Sequence, residues 1–192
     1  MRDKGENGVK RVLVIQSAAM AGGNTDRLAD AFVRGAQDAG HEVKKFSIGQ
    51  LTVNGCLGCN ACLTNGGQCV QQDDMQRIYP YFYDCDVLCA ATPIYCYAIT
   101  ARLKAFFERL YAAGMGEVPM REPHKQTILL ATAAESGTSV FQQAVTFYQT
   151  NNAFAGWHDA GMVLAGGCGG CPGPRHLARQ WEEAAYQLGK NL

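Results

Sequence analysis

The chain has 192 residues, with 17 Lys and Arg against 17 Asp and Glu, and nine cysteines. That length suits one domain over 1–192, with a core large enough to need no covalent staples. The zero net charge excludes the basic field that nucleic acid or an anionic membrane demands.

The opening MRDKGENGVK has no apolar core of a signal peptide, and no apolar run reaches the ~18 residues of a membrane span. A cytoplasmic protein is expected. In that compartment clustered cysteines bind metal or do redox chemistry more often than they form disulfides.

KRVLVIQSA at 10–18 is a short β-branched run and reads as a buried parallel strand. NTDRLADAFVRGAQDAG at 24–40 places Leu28, Ala31, Phe32 and Ala36 at helical spacing. Asn24 or Thr25 is the expected cap, and Gly40 the expected stop. HEVKKFSI at 41–48 is a second strand, and a cysteine-rich loop follows at 52–72. A short helix is expected from Asp73 or Asp74, broken near Pro80. DVLCAAT at 86–92 is a third strand, and TARLKAFFERLYAAG at 100–114 an amphipathic helix. A strand at 126–134, a helix at 138–150, a strand at 160–167 and a helix at 176–189 complete the chain. Alternating strands and helices predict an α/β, flavodoxin-like three-layer sandwich. Its five-stranded parallel sheet takes the order 2-1-3-4-5.

Ligands of such sheets sit beyond the carboxyl ends of the strands, where strand order reverses. The first loop there, SAAMAGGNT at 17–25, leads into a helix N-terminus, which offers N–H groups and a positive dipole end to phosphate. Ser17, Asn24 and Thr25 add side-chain donors. The loop is neither a G-x-x-x-x-G-K-[ST] nor a G-x-G-x-x-G motif, and it suits a monophosphate such as that of FMN. An ordinary capped turn is the plain alternative. The loop after strand three carries PIYCY at 93–97. Tyr95 and Tyr97 supply flat apolar surface, and the backbone near Ile94 and Cys96 supplies polar groups, as a flavin ring requires. Two tyrosines covering a core edge is the competing reading.

Cys56, Cys59, Cys62 and Cys69 follow the pattern C-x2-C-x2-C-x6-C on a glycine-rich loop. Closely spaced thiols of this kind suit a [4Fe–4S] cluster. Zinc, two disulfides, and free or packed thiols are the other readings. Cys168 and Cys171 in GGCGGCP read as part of a Gly-rich turn, and Cys85 and Cys89 as core. The four histidines have no ligand-like spacing.

GGNTDRLADAF and TPIYCYAITARLKAFFERL resemble the NADPH-dependent FMN reductase families. With the cysteine loop added, the chain resembles their iron–sulfur flavoprotein branch, over nearly its whole length. The resemblance implies that Ser17, Asn24 and Thr25 contact the FMN phosphate and that Pro93, Ile94, Tyr95, Cys96 and Tyr97 border the flavin ring. It implies that Cys56, Cys59, Cys62 and Cys69 hold the cluster, and that AAESGT at 133–138 approaches the flavin. It also implies NAD(P)H as reductant, a homodimer, and an acceptor that is a quinone, nitro compound, free flavin or redox protein. Where the family reads G-S-P-R, this chain reads QSAAMAGGNT, without Pro or Arg. Arg27 substitutes only if the first helical turn points it back. Two rival readings are a non-catalytic electron carrier and a four-cysteine zinc-binding interaction domain on the same fold.

Overall fold

The computed structural model describes residues 8–114, 124–169 and 173–192. Its strands are β1 (Arg11–Gln16), β2 (Glu42–Ser47), β3 (Val87–Pro93), β4 (Gln126–Thr132) and β5 (His158–Ala165). The helices are α1 (Asn24–Asp38), α2 (Met75–Asp84), α3 (Ala101–Ala113), α4 (Gln142–Ala155) and α5 (Arg179–Lys190). All strands pair in parallel, in the order β2-β1-β3-β4-β5. The flavodoxin-like order expected from the alternation is therefore the observed one.

Side chains alternate across a strand, and β1 shows how this builds two cores. Leu13 and Ile15 pack with α2 and α3, while Val12 and Val14 pack with α1 and α5. Central β3 is buried on both faces along its whole length, which explains its unbroken apolar run. Helices α1 and α5 cross at glycines. A Cβ on Gly35 would lie 2.0 Å from the Tyr186 carbonyl oxygen, and one on Gly189 would lie 2.2 Å from that of Phe32.

Two elements differ from expectation. Helix α2 runs through Pro80, although an interior proline forfeits a hydrogen bond and costs roughly 3 kcal/mol. Pro80 is exposed, and burial of Met75, Ile78, Tyr79 and Phe82 on the opposite face outweighs the loss. At ~1.5–3 kcal/mol for each large apolar side chain, the balance favours the continuous helix. Helix α4 extends to Ala155 because Tyr148, Asn152 and Ala155 continue its buried face. Gly156, at φ 71°, then supplies the left-handed stop. Among the described residues no helix is long and apolar enough to cross a membrane.

Candidate functional site

A cleft of about 400 Å³ opens over the carboxyl end of the sheet, lined from the loops after β1, β3, β4 and β5. Asn24, Thr25, Pro93, Ile94 and Tyr95 all line it. The expected side-chain cap of α1 is absent, and Gly23 occupies the cap position. Both candidate caps are engaged elsewhere. Asn24 Nδ2 donates to the Cys168 carbonyl at 2.8 Å, and the Thr25 and Thr132 hydroxyls meet at 2.7 Å. These bonds tie the first loop to β4 and to the loop after β5. Asp26 accepts from the Gly22 N–H and pairs with Lys45, so its charge beside the cleft is balanced.

Ser17 and Arg27 are placed differently from the resemblance. Ser17 is fully buried and its hydroxyl donates to the Ala91 carbonyl at 3.1 Å. Arg27 turns to Glu182 on α5, at 2.9 Å. The cation lining the cleft is instead Arg175, from the loop before α5. Sequence reasoning missed it, because PGPRH lies some 150 residues from the phosphate-like loop. Only the return of the chain to the same rim brings it there. The Cys168 backbone and Thr132 were missed for the same reason, whereas Ala133 and Ala134 belong to the 133–138 stretch expected to approach the flavin. Cys171 lies outside the described residues; Cys168 is buried, its thiol bonded to the Ala165 carbonyl at 3.1 Å.

Beyond Ile94 the chain makes a tight turn. Tyr95 and Ala98 exchange both backbone hydrogen bonds, at 3.0 and 3.1 Å. Cys96 and Tyr97 between them have φ of 49° and 63°. This is the two-residue turn that normally calls for Asn-Gly, here built from side-chain-bearing residues at a cost of about 1–2 kcal/mol each. Strain of this kind concentrates at ligand clamps. Tyr95 and Tyr97 remain 57% exposed, so their aromatic faces are open beside the cleft.

The four clustered cysteines surround a second, mainly apolar cavity of about 240 Å³. It shares no lining residue with the cleft. Glu108, Arg109, Tyr111 and Ala112 form its other wall. The loop after β2 thus lies along the second half of α3, beside residues that a helix rise of ~1.5 Å each carries roughly 10–17 Å from that helix's start. Glycines at positive φ, Gly58, Gly66 and Gly67, let the loop fold back. Carboxylates close its base: Asp73 accepts from the Asn54 N–H at 3.0 Å and Asp74 from the Thr52 N–H at 2.9 Å. Gln76 donates to the Cys69 carbonyl at 2.9 Å.

Four thiols lining one cavity are the donor type that an iron–sulfur group takes. Among the described residues no group of three or more His, Cys, Asp or Glu side chains is placed to hold a metal ion. The thiols instead ring a cavity. The Gly58 N–H donates to Cys56 Sγ at 3.4 Å, a contact of the type that tunes cluster sulfurs. Burial, and then the neighbouring Cys56, Cys69 and Cys59, push the Cys62 thiol pKa up. Metal ligation would oppose that rise by favouring thiolate.

A parallel sheet of this order, with a polar loop and open aromatic groups at its switch point, defines a flavodoxin-like protein. The profile of the family described as NADPH-dependent FMN reductase matches residues 10–167. The chain belongs to that family. An iron-sulfur flavoprotein of Archaeoglobus fulgidus is 35% identical over 92 residues, 48% of this chain and 41% of that protein. Iron-sulfur flavoprotein MJ0731 of Methanocaldococcus jannaschii is 32% identical over 76 residues, 40% of this chain and 38% of that protein. The matched stretches thus span less than half of these relatives' lengths. Among solved structures, an NAD(P)H:quinone oxidoreductase from Methanothermobacter marburgensis superposes with a TM-score of 0.75 at 17% identity. It covers 95% of this chain and 96% of its own.

Proposed function

We propose that the protein is an FMN-dependent oxidoreductase that takes electrons from NAD(P)H and passes them to a small acceptor or redox protein. A [4Fe–4S] group at Cys56, Cys59, Cys62 and Cys69 would serve as its second redox centre. The observation that carries this reading is the single cleft joining a helix N-terminus, Arg175 and the Pro93–Tyr95 segment. When bound, FMN supplies hydride-accepting chemistry and the iron–sulfur group supplies one-electron transfer. The protein's part is binding and orientation. The α1 N-terminus and Arg175 would hold the phosphate, and Tyr95 would offer its face to the ring. The turn at Cys96–Tyr97 holds that face in place. Met20, Tyr95 and Tyr97 are each about half exposed around the cleft, which supports a homodimer that covers the flavin.

Protein isolated without oxygen should show flavin absorption and about four iron per chain, and should oxidise NADPH steadily with a quinone. Colourless protein that takes up no added FMN would rule out the cleft assignment. The electron-carrier reading has one observation in its favour. Leu57, Leu63, Val70 and Tyr111 leave exposed apolar surface near the cysteine cavity, suited to a redox protein. Reduction by a reduced ferredoxin but not by NAD(P)H would select it. Zinc without iron or flavin would select the interaction-domain reading.

A further inference from the structure

The largest fully buried side chain outside the cleft is a cation. Arg109 is 1% exposed on α3, in the wall of the cysteine cavity. A buried charge is retained only where something compensates it. Asp73 does so in part, through bonds to both terminal nitrogens at 2.6 and 3.1 Å. One terminal nitrogen also donates to the Asn54 carbonyl at 3.1 Å, at the entrance of the cysteine loop. The Arg109 Nε–H is buried with no partner. Asp73 does not line the cavity, whereas Arg109 does. Arg109 is thus the member of the ion pair that borders the cavity with the thiols.

We propose that Arg109 is the counter-charge of the cysteine cavity: a positioning residue that stabilises negative charge among the four thiolates and sets how readily a group held there accepts an electron. This rests on the iron–sulfur reading above. An all-thiolate iron–sulfur group is anionic and becomes more so on one-electron reduction. A fixed cation in an apolar wall favours the reduced form more than the oxidised form. The orphaned Nε–H is a further donor for a sulfur acceptor. Asp73 moderates the effect, so the two residues act with opposite sign.

The test is a dithionite redox titration, followed by electron paramagnetic resonance, of anaerobically isolated protein. Arg109→Gln combined with Asp73→Asn keeps an amide pair of similar shape without charge. The equilibrium constant for reduction should fall about tenfold, or ~59 mV for one electron, with iron content unchanged. Asp73→Asn alone leaves the cation unbalanced and should shift the potential upward. Arg109→Lys should restore most of the wild-type value. A purely structural role would lower stability or iron content without this reversal of sign. If the neutral pair fails to fold or load, Asp73→Asn alone decides, by a rise or its lack. Iron-replete variants with wild-type potentials overturn the inference alone. Wild-type protein without iron overturns the cluster reading and this inference with it.

Discussion

The side-chain amide of Asn24 reaches across 144 residues of sequence to donate to the Cys168 carbonyl at 2.8 Å. The same carbonyl accepts from the His176 N–H at 2.8 Å. One acceptor thus joins the start of α1 to both sides of the loop that carries Arg175. Asn24→Ala should loosen that loop as well as remove a polar group from the cleft. One lost hydrogen bond, at ~0.5–1.5 kcal/mol, predicts FMN binding weaker by about three- to tenfold. Quenching of flavin fluorescence on titration into apoprotein measures this, and unchanged affinity would place the phosphate elsewhere.

Arg175→Ala should separate phosphate from ring recognition. A hydrogen bond to a charged group contributes ~1.5–3 kcal/mol, so FMN affinity should fall at least about tenfold. Riboflavin, which has no phosphate, should bind wild type and variant alike. Equal losses for both ligands would remove Arg175 from the phosphate role.

The strained turn gives a stability test. Cys96 carries a Cβ at φ 49°, which costs ~1–2 kcal/mol, while glycine brings back ~0.5–1 kcal/mol of unfolded-state entropy. Cys96→Gly should therefore lie between neutral and ~1.5 kcal/mol stabilising. Cys96→Val should lose more than ~1 kcal/mol, since a branched Cβ tolerates that region worst. Thermal midpoints of the apoproteins give the order, and a stabilised Val variant would contradict the turn geometry.

The Asp73–Arg109 pair predicts a pH dependence. Burial raises the Asp73 carboxyl, but the Arg109 and Asn54 hydrogen bonds and the Arg109 charge more than reverse it. The folded-state pKa thus falls below the ordinary 3.8. A depressed folded-state value means the contribution is present above the unfolded pKa and is lost as pH falls through the folded one. Urea unfolding at neutral pH and near pH 3 should show wild type losing more stability over that interval than Asp73→Asn. At neutral pH the variant should be weaker by about 3 kcal/mol, as when one partner of a buried pair is removed. Parallel pH curves would mean the carboxylate is not held by Arg109.

Cys59→Ala should abolish iron binding and leave FMN content unchanged, because the two cavities have no wall in common. Iron and flavin assays on the same anaerobic preparation check both halves. Simultaneous loss of flavin would mean that the loop supports the cleft.

Much of the fold was legible because periodicity and burial agree. The β-branched run of β3 and the spacing of Leu28, Ala31, Phe32 and Ala36 each match one layer of the sandwich. Pro80 misled because a local rule yielded to the buried face of α2. The site was legible where its residues lie on the loops after β1 and β3, since adjacency there follows from strand order. Arg175 and Arg109 were not, because their roles depend on where distant segments return. Ser17 shows the limit of motif transfer, since a matching residue type does not fix where its side chain turns, and Arg27 does not meet the condition of pointing back from the first helical turn.

The loop carrying the four thiols is tied to the sandwich at Thr52, Asn54, Asp73 and Asp74 and packs along α3. On the proposed reading, protein made without iron would keep its flavin cleft, which shares no wall with the cysteine cavity, and would work with one redox centre in place of two.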